Sequence, residues 1–598
     1  MPPPPAIPPS SPGSGPLPTA SGTGDESFAK SFFVGSPAEG LIFPYPEPSR
    51  SEVDEINGVL DGIRRFASKQ IDASRIDREE TIGPEVLAGL RELGLFGLLV
   101  PKAHGGSGFG LTAYARVIQE LAAHDGSVAL TVSAHQSLGL AALLYFGSEE
   151  LKATYLPRCA RGETLAAFAL VEVGSGSDAG SIQTRADRDG DSYVINGEKI
   201  WVTNGGLADL FTVFARTSPA EDGAKPRLTA FIVERKSGAS NSRTEPTLGL
   251  RGASTTNLNL PSVRVPSSHV LGDVGRGFKV AMEVLTSARL ALASSCIGAS
   301  KRLLRLAVER ATERKTYGRS IAEFPMVKDK IASMSADIFA LESMTYLTTG
   351  LVDAGRTDFS IESAICKVFG SETLWRVANE SAQIAGSLGY TQNAPWERMI
   401  RDARAAMVFE GTNEILRCFI ALSGMQGPGL ALSGSGLLED VSKAMREPIK
   451  GFGLLSDFAL RKARSVLSRD RLTRVHPILS REAALVITYA QHLARCVDQA
   501  LRRHGKNIAE MQYTQKRIAD IAIDLYAVSS CLARTTRSIE KRGEEGARRE
   551  IDLLTMFARA ADKRLAENVA SFDDNDDELR KAIAHKACAD GGYPLDIL

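Results

Sequence analysis

No stretch of the 598-residue chain approaches the run of about 18 uninterrupted apolar residues that a membrane-crossing helix requires, so no such helix is expected. Charge of one sign is also missing. The 71 Lys plus Arg balance 71 Asp plus Glu, which removes a whole-chain electrostatic case for nucleic acid. Cysteine is scarce and scattered: Cys159, Cys296, Cys366, Cys418, Cys496, Cys531 and Cys588 form no C-x-x-C pair and are odd in number. That favours a reducing compartment over a disulfide framework and gives no metal-site signature. Residues 1–25 hold no Arg or Lys and are rich in Pro, Ser and Gly. An Arg-rich mitochondrial leader and a charged secretory start are both unlike this, so a disordered tail and a bacterial-type cytoplasm are expected, with the mitochondrial matrix face of the inner membrane as the alternative.

What is present is the composition of an ordinary globular protein, 43% hydrophobic and 24% charged. Single cores stop growing near roughly 250–300 residues, so the chain divides into several domains. No fixed-period repeat is visible. Helical spacing, as at Val86, Leu90, Leu93, Leu95 and Leu98, marks an N-terminal helical domain over 51–165, after a tail and leading segment over 1–50. Alternation then takes over in a middle β-domain, 166–275. There Tyr193-Val194-Ile195, Asn196-Gly197 and Ile200 to Thr203 predict a hairpin, with further strands over Leu210 to Ala215, Leu228 to Val233 and Leu258 to Val265. Helical spacing returns over 276–425, where Ile331, Met334, Ile338 and Leu341 form a stripe that needs a bundle partner. A Gly-punctuated linker spans 426–475, and 476–598 is helical again.

Five blocks carry chemistry. Phe168-Ala169-Leu170-Val171-Glu172-Val173-Gly174-Ser175-Gly176-Ser177 is an apolar strand that runs into small hydroxylated residues, which allow close approach of a planar cofactor. Lys199-Ile200-Trp201-Val202-Thr203-Asn204 sets a large aromatic and a hydroxyl on one strand; a half-buried strand with Trp201 in the core is the plainer alternative. Arg314-Lys315-Thr316-Tyr317-Gly318 stands at the head of a long helix, where a guanidinium can clamp a pyrophosphate or simply be solvated. Gln383-Ile384-Ala385-Gly386-Ser387-Leu388-Gly389-Tyr390 places glycines at a helix end, as a dinucleotide contact or as a cap. Glu397-Arg398 and Arg401-Asp402-Ala403-Arg404 lead into Phe409-Glu410-Gly411-Thr412-Asn413-Glu414-Ile415, which sets a carboxylate between an apolar residue and a glycine and suits a base that removes a carbon-bound proton; locally, a helix cap with Glu410 exposed is the plainer reading.

In this order and across this layout, the blocks resemble the acyl-CoA dehydrogenase family. Lys30-Ser31-Phe32, Phe43-Pro44-Tyr45-Pro46, Ala134-His135-Gln136-Ser137, Gly205-Gly206-Leu207-Ala208, Ile415-Leu416-Arg417, His476-Pro477 and Ile523-Asp524-Leu525-Tyr526 resemble its very-long-chain branch. The resemblance covers about residues 29–598. It implies a mainly α fold with a central β-domain: an N-terminal helical domain, a middle β-barrel-like domain and a four-helix bundle, plus a C-terminal helical extension.

It further implies FAD-dependent α,β-dehydrogenation of long or very-long-chain fatty acyl-CoA to trans-2-enoyl-CoA in fatty acid β-oxidation. Glu410 would remove the α-proton while hydride passes to the flavin N5. By the same resemblance Phe168, Leu170, Val171, Gly176, Ser177, Trp201, Val202 and Thr203 wall the flavin. Arg314, Thr316 and Tyr317 belong to the pyrophosphate side, and Gln383, Ile384, Gly386 and Ser387 reach FAD across a homodimer. Thr412, Asn413 and Glu414 lie at the adenine side. Ser177, Thr286, Arg289 and Gly411 match substrate contacts. One branch of the family carries its base immediately before this arginine, and here that position is Ala288.

Val171 stands where the family usually has Thr, Val173 for Pro, Ser387 for Gly and Lys328 for Gln, which bears on flavin potential and affinity. Electron-transferring flavoprotein is the implied partner. Peripheral membrane contact is implied for the basic amphipathic segment containing Leu455, Phe458, Arg461, Lys462, Arg464 and Leu467. A non-catalytic assembly scaffold and an acyl-CoA oxidase share the fold and are the alternatives.

Overall fold

A computed structural model of the chain describes residues 27–217, 227–434 and 471–595. The tail expected over 1–25 and the amphipathic segment from Leu455 to Leu467 lie outside the described residues. Two compact units are present: Ile42–Ile415 is one, and Phe28–Leu41 with the described residues from Leu416 onward forms the other.

The first unit runs from helices through a sheet to helices. Arg50–Gln70 opens with a reciprocal cap, in which Ser49 Oγ accepts from the Glu52 N–H and Glu52 accepts from the Ser49 N–H. It buries Ile56, Leu60, Ile63 and Phe66 at three- and four-residue steps. The periodicity read through Leu98 stops sooner than expected. Pro84–Glu92 is helical, but Gly94 takes φ 68°, so Leu95 and Leu98 are buried from a turn segment.

Two stretches, Gly126–Phe146 and Gly277–Glu313, are apolar and long enough by composition to cross a membrane, which the sequence reading did not anticipate. Most of each is buried inside the unit, as core helices are. In the first, the chain widens into a π-helix over Ala134–Leu140. His135 holds it, accepting from the Ala166 N–H at 2.9 Å, and so does Gln136, whose Oε1 accepts from the Leu99 N–H.

Strands β1 (Ala166–Ala169), β2 (Arg185–Asp189), β3 (Ser192–Val202), β4 (Leu210–Thr217), β5 (Arg227–Glu234), β6 (Ser240–Asn241), β7 (Thr256–Pro266) and β8 (Val270–Leu271) form one sheet. Its order is β6-β7-β3-β2-β4-β5-β8, with β1 added parallel to β4. The hairpin expected at Asn196-Gly197 is absent, because β3 continues straight through it. A Cβ on Gly197 would meet Thr184 Oγ1 at 2.3 Å, so this glycine serves close approach, not a turn. Asn196 Oδ1 accepts from the Ser262 N–H at 2.9 Å across a bulge. The true two-residue turn is Gly190-Asp191, with Gly190 at φ 60°.

Gly277–Glu313, Pro325–Asp353, Ser360–Ala385 and Pro395–Ala405 complete this unit. Met334, Ile338 and Leu341 of the predicted stripe are buried. Gly298 permits the crossing of Gly277–Glu313 with Leu111–His124, since a Cβ there would sit 2.0 Å from the Gln119 carbonyl oxygen. Gly298→Ala should therefore destabilise the protein by about 1–3 kcal/mol through overpacking against backbone, read as a lower denaturant midpoint. An unchanged midpoint would show that the two helices separate at no cost.

In the second unit, Ser480–His504, Gln512–Gly546 and Arg548–Ala570 pack together, and Arg564 Nη2 donates to the buried Asp524 Oδ1 at 2.6 Å. Leu525 and Tyr526 are fully buried beside it.

Candidate functional site

After Pro395–Ala405 the chain turns: the Val408 and Phe409 N–H groups donate back to the Ala405 carbonyl, and the Asn413 N–H to that of Met407. Glu410 (φ 57°) and Gly411 (φ 97°) are then both left-handed. For a glutamate this conformation costs about 1–2 kcal/mol, so the surrounding contacts must hold it. Arg289 Nε donates to the Glu410 carbonyl at 3.1 Å, and Lys367 Nζ to the Gly411 carbonyl at 2.7 Å. Thr412 Oγ1 caps the next helix from Ile415 N at 3.4 Å. The helix-cap alternative thus holds for Thr412 but not for an exposed Glu410.

The Glu410 side chain faces a cavity whose mainly apolar lining includes Leu130, Leu138, Ala288, Ala291, Leu292 and Leu374. Its Oε2 is buried and has no hydrogen-bond partner. Burial raises the carboxyl from its ordinary value to about 7, against the opposing charges of Arg289 and Lys367. Ala288, at the position of the alternative base, is buried in the wall of the same cavity and carries no carboxylate.

Along the wall also lie His124, Asp125, Arg398 and Asp402. Arg398 Nη1 bridges the two aspartates, at 2.9 Å from Asp402 and 3.4 Å from Asp125, and Asp402 Oδ1 accepts from the Leu250 N–H. Burial lifts Asp402 to about 6. Arg398 and Asp402 come from the run that leads into Phe409, whereas nothing in the sequence singles out His124 or Asp125.

The second surface is built on β1 and β3. After β1, Glu172 and Ser175 bond each other's backbone, so that Val173, Gly174, Gly176 and Ser177 are left exposed. Lys199 underpins this loop: its buried Nζ donates to Glu172 Oε1 at 2.7 Å and to the Leu170 carbonyl at 3.2 Å. Burial lowers Lys199 to about 8, while Lys199 and Thr184 hold the Glu172 carboxyl below its ordinary value against the cost of burial.

A break in the β3–β7 register between Lys199 and Val202 puts Trp201 at φ 58°, an outlier for so large a side chain. Trp201 is therefore 54% exposed instead of in the core, Val202 is buried, and Thr203 is half-buried. Phe168 packs against Phe214 in a tilted pair with ring centroids 5.0 Å apart, Leu170 is buried, and the Val171 carbonyl accepts from the Ile200 N–H at 2.9 Å.

The other sequence-selected residues lie on the surrounding helices and on a short hairpin. Arg314 ends the helix Gly277–Glu313 instead of heading one. A two-stranded hairpin follows, with Thr316 in a strand and with Tyr317 (φ 52°) and Gly318 (φ 78°) at its tip. Gln383, Gly386 and Ser387 are exposed at the end of Ser360–Ala385, Ile384 is buried, and Gly386 at φ 66° stops the helix. Among the described residues, neither segment shares a hydrogen bond with the Glu410 loop. Glu414 is exposed, whereas Asn413 points inward, where Ser371 and Lys367 donate to its Oδ1. Thr286 is buried one helical turn before Arg289, its carbonyl accepting from Ser363 Oγ at 2.7 Å.

A buried carboxylate with an unpartnered oxygen beside an apolar cavity, and an outward-turned Trp on a strand, define a site for an apolar substrate. Consecutive stretches match the models of the acyl-CoA dehydrogenase N-terminal domain (54–163), middle domain (167–263) and C-terminal domain (275–425). The human mitochondrial very long-chain specific acyl-CoA dehydrogenase is 40% identical over 560 residues, which cover 92% of this chain and 84% of that protein. A probable acyl-CoA dehydrogenase of Mycobacterium tuberculosis, FadE10, is 32% identical over 94% and 89%. A crystal structure of an acyl-CoA dehydrogenase complexed with FAD from Bacillus anthracis superposes with a TM-score of 0.75 at 29% identity, covering 95% of this chain and 96% of that one.

The chain belongs to the acyl-CoA dehydrogenase family and is an FAD enzyme. Residues 477–593 match the ACAD9/ACADV C-terminal domain, which sets it in the very-long-chain branch.

Proposed function

We propose that the chain oxidises long or very-long-chain fatty acyl-CoA to trans-2-enoyl-CoA, with Glu410 as the base that removes the α-proton. The observation that carries this reading is the unpartnered Glu410 Oε2, buried against the apolar channel. A carboxyl raised to about 7 is a stronger base than an ordinary one yet still ionised in part at neutral pH. The apolar lining supports a fatty chain as the group that excludes water. Among the described residues no backbone acceptor pairs with the Glu410 N–H, which leaves it to polarise the thioester carbonyl.

The wall residues fit FAD. Trp201 offers an uncovered aromatic face, Thr203 a hydroxyl, and Gly176 and Ser177 an exposed loop. Arg314 and Tyr317 are exposed and Thr316 half-buried between them, placed to meet a pyrophosphate, and the exposed Gln383, Gly386 and Ser387 to meet a cofactor held by a second copy. When bound, FAD supplies the acceptor for the β-hydrogen. Electron-transferring flavoprotein is the proposed partner for reoxidation.

Anaerobic mixing with palmitoyl-CoA should bleach the flavin; in air, electron-transferring flavoprotein should sustain turnover with little peroxide appearing. No bleaching would leave the scaffold alternative, and peroxide release would make the enzyme an oxidase. Turnover should also rise with pH through about 7 and fall up to tenfold per unit below it, because Glu410 acts deprotonated. A flat profile between pH 5.5 and 8 would remove the raised base.

A further inference from the structure

Lys367 takes no part in the reaction as described, yet it is fully buried in the helix Ser360–Ala385. An ammonium in such surroundings is retained only where acceptors are built for it. Its two acceptors, the Gly411 carbonyl at 2.7 Å and Asn413 Oδ1 at 2.8 Å, both belong to the segment that follows Glu410. Asn413 is itself held from the same helix, its Nδ2 donating to Ser371 Oγ at 3.0 Å and to Glu372 Oε1 at 3.1 Å. From Gly277–Glu313, Arg289 holds the Glu410 carbonyl. The two consecutive left-handed residues are thus each tied by their carbonyl to a buried cation on a different helix.

We propose that Lys367 is a positioning residue for the base: held on Gly411 and Asn413, it fixes the left-handed turn that points the Glu410 carboxylate into the channel and supplies a nearby positive charge. The proposal rests on Glu410 being the base. The groups that act on Lys367 electrostatically are Arg289 and Cys296 from Gly277–Glu313, Glu372 from its own helix and Glu410 from the loop, and burial lowers Lys367 to about 7. Removing the cation lets the Glu410 carboxyl rise further.

The test compares FAD-loaded Lys367→Met and Lys367→Arg with the parent and with Glu410→Gln. Lys367→Met should lower kcat about 10- to 100-fold, as a misplaced reacting group does. KM for palmitoyl-CoA should stay within about 3-fold, and the acidic limb of the kcat profile should move to higher pH. Lys367→Arg should recover the limb and part of kcat.

Apo-protein melting supplies a readout without flavin. A lysine lowered from 10.5 to about 7 makes the parent gain stability as pH rises between those values, and Lys367→Met should lose that gain. A folded, FAD-loaded Lys367→Met whose acidic limb coincides with the parent's overturns the proposal, whatever its melting temperature. If that variant does not fold, Lys367→Gln is read the same way. Activity in Glu410→Gln would instead remove the base assignment, whereas an inactive Glu410→Gln beside an unshifted Lys367→Met removes only the role of Lys367.

Discussion

Glu410→Gln should retain FAD and bind palmitoyl-CoA but lose about 1,000-fold or more in kcat, within the roughly 10²–10⁴ range of a single general base. The substitution keeps the side-chain volume and removes only the basicity. A loss below about tenfold, in protein with full flavin content, would show that another group takes the α-proton; Ala288 is not available for that role.

The same variant carries a stability signature of known sign. Glu410 is raised in the fold from 4.5 to about 7 because burial penalises its charge. The parent therefore loses stability as pH rises from 4.5 through about 7, where the unfolded chain has already given up the proton and the fold still holds it. Glu410→Gln should be relieved of that loss and gain stability relative to the parent at pH 8 more than at pH 5. Thermal melts of the two proteins at both values check it, and parallel melting curves would remove the buried carboxylate from the account.

Lys199→Met should cost about 3–5 kcal/mol, since it strands a buried carboxylate whose cation has gone. Lys199 is completely buried and the Glu172 side chain is 9% exposed, so solvent does little to screen the pair. Glu172 would keep the Thr184 and Gln183 donors but not the ammonium, and the Leu170 carbonyl would lose its partner. Because this pair underlies the exposed Val173–Ser177 loop, FAD content should fall with stability. Adding Glu172→Gln to Lys199→Met should restore part of the loss, which urea denaturation of the single and double variants measures as a coupling energy. Strict additivity would mean that the pair is not coupled.

Much of this was legible beforehand. The β-strands at Leu210, Leu228 and Leu258 are found two or three residues longer than read: the first two are almost wholly buried apolar runs and the third alternates, and both patterns report a sheet directly. Lys367 left one signal that was passed over, a lone cation inside the apolar run Ala364-Ile365-Cys366-Lys367-Val368-Phe369. The Asn-Gly hairpin was misread because a glycine demanded by the approach of Thr184 looks, in one dimension, the same as a glycine demanded by a turn.

Glu410 shows where the two sources divide. The sequence by itself determined its residue type, its Phe409 and Gly411 neighbours, the empty alternative position at Ala288 and the family order of the blocks, since these are properties of local chemistry and spacing. Only the tertiary structure decided that this glutamate is a buried carboxylate facing a cavity instead of an exposed helix-start residue. Its raised carboxyl comes from burial, and its orientation from Arg289 and Lys367, 121 and 43 residues away in the chain, whose helices must first pack before either can reach the loop. Desolvation and long-range charge depend on what surrounds a group in space, and that is set by packing.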